Sequence, residues 1–181
     1  YYAQYQTMKN NWEEAINFYK KSERTAIDVN YEYRALNAKI GIVFSYYFMG
    51  KEKDYQQDIE DCVEQVDNAK YPYSNLRGKI RIILGNFHYE KYIKDNNEID
   101  LVESIKEYLI SCENMYSYSI ASRDRFYVTC RIIPKRLVEL PIEKLPSLQT
   151  INKLRTLFKE KIEKLLNSDM VNKEDRYIWK L

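Results

Sequence analysis

An all-helical fold built from antiparallel helical hairpins is what this sequence predicts, on three observations. The stretch Asn10 to Ser22, NNWEEAINFYKKS, places Trp12, Ala15, Ile16, Tyr19 and Ser22 at i, i+3, i+4, i+7 and i+10, one stripe of a helix, and turns Glu13, Glu14, Lys20 and Lys21 outward. The same spacing returns 43 residues on at Tyr55, Asp58, Cys62 and Gln65, and a further 46 on at Leu101, Ser104, Tyr108 and Ser111. Helix breakers are scarce, with 4 Gly and 4 Pro in 181 residues, and 31% of the residues are charged and suited to helix surfaces.

The segments in front of these stripes repeat as well. Lys39 to Gly50, KIGIVFSYYFMG, lies over Lys79 to Glu90, KIRIILGNFHYE, without a gap at a shift of 40. Lys39 matches Lys79, Ile40 matches Ile80, Ile42 matches Ile82, and Phe44-Ser45 matches Leu84-Gly85. Both runs are β-branched and aromatic enough to read as buried strands. Each is embedded in a longer stretch without a turn signal, Tyr31 to Met49 and Ser74 to Tyr92. Such lengths suit helices sandwiched between neighbours, which become apolar nearly all round. Tyr1 to Lys9 reads as the tail of the same helix in the first copy.

Breaks fall between the expected hairpins. Asp28 to Asn30 separates the first pair from the second, and Pro72 ends the second because the residue before a proline is pushed out of the helical region. Asp95 to Asn97 is a polar turn inside the third pair, and the serine-rich Tyr116 to Ser122 closes it. The fourth unit departs from the pattern: a helix from Arg123 meets Pro134, which cannot donate to residue 130, and Pro141 and Pro146 bracket a short linker. Ser147 is an N-cap for a last helix to about Asn167, with Leu148, Ile151, Leu154, Phe158, Ile162 and Leu165 as its stripe. The expected units are 1–28, 31–70, 74–115 and 123–167, with 174–181 opening a further one. A start in apparent mid-helix at Tyr1 and an apolar end from Arg176 to Leu181 suggest one segment of a longer protein, with other domains of that chain as neighbours.

The spacing Trp12, Ala15, Tyr19, Ser22 resembles the second helix of a tetratricopeptide (TPR) repeat, and Leu84-Gly85 falls where that family's first helix carries its Leu-Gly pair. The resemblance covers Tyr1 to Ser122; the longer period and Asp58 at the small-residue position depart from the family pattern. It implies a right-handed superhelical solenoid of about four antiparallel helical hairpins, whose first helices line a concave face that holds an extended or helical peptide. In the family register Lys39 and Lys79 share one groove-facing position and Tyr46 and Asn86 another, with Tyr5 as the counterpart in the first copy; Tyr89 is counted with them. Lysine supplies charge there, asparagine a donor and an acceptor, and tyrosine contact area at low entropy cost. The Tyr-rich helices and the string AINFYKKSE also resemble the repeat domains of bacterial peptide-responsive regulators, the Rap and PlcR-like groups. That resemblance implies a signalling peptide in the groove that alters a partner domain.

Catalysis finds little support in these residues. The single histidine, His88, has no Cys or Ser motif beside it, and Gly41, Gly50, Gly78 and Gly85 are too scattered for a phosphate loop. Asp54, Asp58 and Asp61 form a carboxylate ridge that reads as a solvated helix face, so neither a metal nor a cofactor is expected. Cys62, Cys112 and Cys130 have no metal or disulfide spacing and read as reduced thiols of a cytoplasmic protein. No apolar run is long enough for a membrane span. The net charge of +2 is too small to imply a polyanion, but from Arg123 onward 14 Lys and Arg face 8 Asp and Glu. The cluster Arg123, Arg125, Arg131, Lys135 and Arg136, with Phe126 and Tyr127 among it, keeps nucleic acid as a second partner class behind a protein or peptide ligand.

Overall fold

The computed structural model describes residues 2–50, 52–116, 132–133 and 135–166. Their regular structure is all helical, with no strand among the described residues. The longer helices are α1 (Tyr2–Met8), α2 (Trp12–Asp28), α3 (Glu32–Phe48), α4 (Glu52–Asp67), α5 (Ser74–Asp95), α6 (Glu98–Tyr116) and α7 (Leu148–Leu166); residues 132–133 and 135–138 are also helical, and a 3-10 turn at Ile142–Lys144 precedes α7. The two runs that compete as strands lie in α3 and α5. Expectations on 117–131 and 167–181, including the further unit at 174–181, lie outside the described residues.

Tight turns join the early helices through residues in the left-handed region: Asn10, Asn30 and Asn96 with φ of 60°, 54° and 56°, and Gly50 with φ of 69°. Asparagine and glycine tolerate this conformation at a helix C-terminus, and it lets orphan carbonyls find donors. The Asn11 and Tyr31 amides accordingly donate back to the carbonyls of Gln6 and Ala26, at 2.9 and 2.7 Å. Asn96 closes the polar turn expected at Asp95 to Asn97.

The chain forms two compact units, Tyr1–Ile83 and Leu84–Leu181, which divide within α5. In the first unit α1 packs on α2, α2 on α3, and α3 on α4. The buried positions of α3 explain its strand-like composition. Leu36, Ile40 and Val43 are spaced i, i+4, i+7 on one face, while Ala38, Ile42 and Ser45 repeat that spacing on the opposite face. The apparent alternation over 36, 38, 40 and 42 is two helical stripes interleaved. Ala15 and Ile16 of α2 and Ile59, Cys62 and Val66 of α4 supply single buried stripes.

In the second unit the 84–95 part of α5 meets α6, and α6 packs on α7. The repeated pattern Leu101, Ser104, Tyr108 and Ser111 is fully buried here. A Cβ on Gly85 would stand 2.7 Å from a Tyr108 ring carbon and 3.2 Å from the Ser104 carbonyl oxygen, so only glycine permits this approach. Ser104 Oγ donates to the Gly85 carbonyl at 2.7 Å, and Tyr108 Oη donates to Asn86 Oδ1 at 2.5 Å. A similar ring-to-backbone contact occurs in the first unit, where a Cβ on Gly41 would lie 2.5 Å from the Tyr19 ring.

Ser147 caps α7 as expected, its Oγ accepting the Thr150 amide at 3.3 Å. Glu98, at the start of α6, holds that cap: its carboxylate accepts the Ser147 amide at 2.5 Å, the Ser147 hydroxyl at 2.6 Å and the Thr150 hydroxyl at 2.5 Å. Near the other ends of the two helices, Lys161 Nζ reaches Glu113 Oε1 at 3.0 Å, so α6 and α7 run parallel. The α7 stripe is covered unevenly. Leu154 is buried and Phe158 half-buried, whereas Leu148 and Ile151 are exposed.

Two outcomes test these contacts. Gly85→Ala is expected to lower stability in chemical denaturation by roughly 1–2 kcal/mol, because overpacking against a pinned ring outweighs the gain in helix propensity. Hydrogen bonds from Ser147 and Thr150 hold the Glu98 carboxyl below the usual glutamate range. A depressed carboxyl stabilises the fold above its unfolded pKa and loses that contribution as pH falls through the folded one. The stability difference between wild type and Glu98→Ala should therefore be constant above about pH 6 and shrink below about pH 4; an equal difference at pH 7 and pH 3 would remove the clamp.

Candidate functional site

Helix α3 and the first part of α5 lie side by side in the first unit, linked by polar pairs in one register. Tyr73 Oη donates to Glu32 Oε2 at 3.1 Å, Asn75 Nδ2 to the Tyr33 hydroxyl at 2.8 Å, and Lys79 Nζ to Asn37 Oδ1 at 2.9 Å. Partners advance together along both helices, so the helices are parallel neighbours. Residue pairs separated by 41 or 42 thus meet, close to the shift of 40 that relates the two segments in sequence.

Beside this seam is a concavity of about 440 Å³. Tyr2, Phe18 and Tyr19 line it from α1 and α2, and Tyr31 and Tyr33 from the start of α3. The Tyr2 and Phe18 rings meet edge to face with centroids 4.5 Å apart, and Tyr33 meets Tyr73 at 5.3 Å in the same manner. Ala3, Ser22 and Ala38 leave room between the aromatic groups, while Arg34, Asn37 and Lys79 contribute donors. Among the described residues that line it, none is an aspartate or glutamate. Size, aromatic lining and a few convergent polar groups are the ordinary attributes of a ligand site.

A second concavity of about 480 Å³ lies where α2 ends, α3 begins and α4 ends. Its charges are mixed, with Glu23 and Glu32 beside Lys39.

The residues assigned to peptide binding are dispersed. Lys79 lines the first concavity and Lys39 the second. Tyr5 is 47% exposed and carries the Lys9 ammonium 4.7 Å above its ring. Tyr46 receives a hydrogen bond from Lys20 Nζ at 3.3 Å. In the second unit Asn86 accepts the Tyr108 hydroxyl and is occupied internally. Tyr89 is only 6% exposed and its hydroxyl donates to the Arg136 carbonyl at 3.1 Å, so its polar end is spent within the fold. Burial raises the Tyr89 pKa, with the nearby Arg136 charge opposing that rise.

The basic cluster is partly engaged inside the same unit. The Arg136 guanidinium sits 4.6 Å from the Tyr89 ring centre, and Lys135 pairs with Glu139 at 3.7 Å. Arg123, Arg125 and Arg131 lie outside the described residues. Sequence reasoning passed over Tyr2, Phe18, Tyr31, Tyr33, Arg34 and Asn37. The signal that could have found them is the clustering of Tyr31, Tyr33 and Arg34 in the string YEYR at a helix start.

Several ionisable side chains have partners within the fold. His88 Nδ1 is 3.1 Å from Asp100 Oδ1, and the buried Asp100 also meets Lys91 Nζ at 3.5 Å and Asn97 Nδ2 at 3.0 Å. Asp61 of the acidic ridge accepts from Gln57 Nε2 at 2.8 Å. Among the described residues no group of three or more His, Cys, Asp or Glu is arranged for a metal ion, and no helix is long and apolar enough to cross a membrane. Burial pushes the Cys62 thiol up to about 12, which suits a core filler rather than a nucleophile.

Compared with protein-family models, curated proteins and solved structures, the chain matches none of them. Iodoacetamide at pH 8 is expected to leave Cys62 unmodified in the folded chain and to alkylate it in denaturant, as read by peptide mass mapping. Rapid native alkylation at Cys62 would reverse that assignment.

Proposed function

We propose that this chain is a non-catalytic recognition module of TPR-like construction, a right-handed solenoid of helical hairpins that binds a protein segment or peptide on the face lined by its first helices. The observation that carries the reading is the concavity formed by α1, α2, α3 and the first part of α5 in the first unit, where aromatic rings stand beside the donors Arg34, Asn37 and Lys79. The two-faced burial of α3 supports the repeat construction, since a helix covered on opposite sides is the inner member of a stack. The parallel register of α3 with the first part of α5, and of α6 with α7, supports it further, because stacked hairpins bring equivalent helices alongside in the same direction. A cytoplasmic location, read from three cysteines without disulfide spacing, belongs to the same proposal, and a peptide-sensing domain of a bacterial regulator is its alternative.

The test is selection of the purified chain against a random peptide display library, followed by measured affinities for the enriched sequences. An enriched consensus whose binding is lost in Lys79→Glu, with circular dichroism unchanged, is the expected result. No enrichment, or binding confined to oligonucleotides and abolished by high salt, overturns the reading.

A further inference from the structure

We infer that the first-unit concavity selects a peptide segment carrying an acidic side chain next to an aromatic one; this rests on the peptide-recognition reading above and names its ligand chemistry.

The inference begins with charge. Between Tyr1 and Ile83 the chain has 12 Lys and Arg and 12 Asp and Glu, so the first unit as a whole is neutral. At the concavity that balance is broken, because the lining includes Arg34 and Lys79 while no described lining residue is acidic. A local positive site on a neutral body suits one or two negative charges, whereas a nucleic acid backbone requires a longer basic track.

The donors are arranged for a carboxylate. Arg34 and Asn37 stand three residues apart on α3 and so share a helix face. The Asn37 carbonyl oxygen is taken by Lys79 Nζ at 2.9 Å, which orients the amide and turns its Nδ2 donor to the side away from that bond. Arginine contributes a planar fork matched to carboxylate oxygens, and the amide adds a donor without charge.

The aromatic half of the ligand is set by the walls. Tyr2, Phe18 and Tyr33 line the concavity together with the small residues Ala3, Ser22 and Ala38, so an aromatic side chain entering it meets rings. Rings seated edge to face or offset against such walls gain about 0.5–1.5 kcal/mol beyond their buried area. Anion and ring must sit close together on the ligand, since the donors and the rings line one concavity of about 440 Å³. A peptide blocked at both termini carries its charge on side chains alone, so its binding reads side-chain recognition directly.

Titration of the full chain with the capped peptide acetyl-Gly-Glu-Phe-Glu-Gly-amide, read by calorimetry, tests this. Binding should weaken about tenfold or more when glutamine replaces both glutamates, and similarly when alanine replaces phenylalanine. Arg34→Glu should abolish binding with the helical signal unchanged, and Arg34→Lys should retain part of it. Equal affinity for the glutamine peptide, absence of binding at about millimolar concentration, or displacement by a short oligothymidine overturns the inference. A display-selected peptide indifferent to Arg34→Glu would sink this inference alone; failure of every peptide in both experiments would sink the recognition reading as well.

Discussion

A helix buried on two opposite faces cannot lie at the edge of a structure, and α3 is such a helix. Leu36, Ile40 and Val43 need one neighbour and Ala38, Ile42 and Ser45 another, and α2 and α4 supply them. Full burial of a large aliphatic side chain contributes about 1.5–3 kcal/mol, so leaving either face open would be costly. Helix α5 has the same composition along its length: Leu76, Ile80, Ile83 and Phe87 follow one stripe, and Tyr89 and Tyr92 belong to another. The surrounding helices need only one apolar stripe each, which is why α2 and α4 are visibly amphipathic. This division into two-sided and one-sided helices organises both compact units.

Tyrosine has two distinct roles in this chain, and burial separates them. Tyr89, Tyr92 and Tyr108 are core residues whose hydroxyls reach polar partners: the carbonyls of Arg136 and Lys144, and the side chain of Asn86. Burial raises the pKa of all three, so they remain neutral donors over the physiological range. Tyr2, Tyr31 and Tyr71 are more than half exposed and face solvent with their rings grouped. A tyrosine that completes the core cannot also read a ligand. The consequence is sharpest for Tyr89 and Asn86, whose polar groups are engaged in the fold, while Arg34 and Asn37 stand where a ligand can meet them.

Electrostatics follow the same rule that position outweighs composition. The excess of basic residues after Arg123 suggests a polyanion surface; at the described end of the cluster Arg136 stands over the Tyr89 ring and Lys135 makes an exposed pair with Glu139. In the neutral first unit, by contrast, two cations line one concavity without an acidic neighbour in its described lining. Net charge counts residues; a ligand responds to which of them share a surface.

Local patterns carried most of the secondary structure. The stripe from Trp12, the breaks at Asp28 to Asn30 and Asp95 to Asn97, and the Ser147 cap each rest on interactions within a few residues, which a sequence displays directly. The shift of 40 between the α3 and α5 segments is close to the separation of 41 or 42 at which their polar pairs meet. The candidate site was less legible, because a family register says which positions face a groove only if helix lengths and turns follow the family's, and here the period is longer. What tertiary structure alone decided was which side chains remain free after packing: Asn86 and Tyr89 become internal partners, and Tyr2, Phe18 and Arg34, distant in sequence, come to line one concavity. Helical periodicity is a property of neighbours along the chain, whereas a binding surface is what remains when every pair of packed faces has been subtracted.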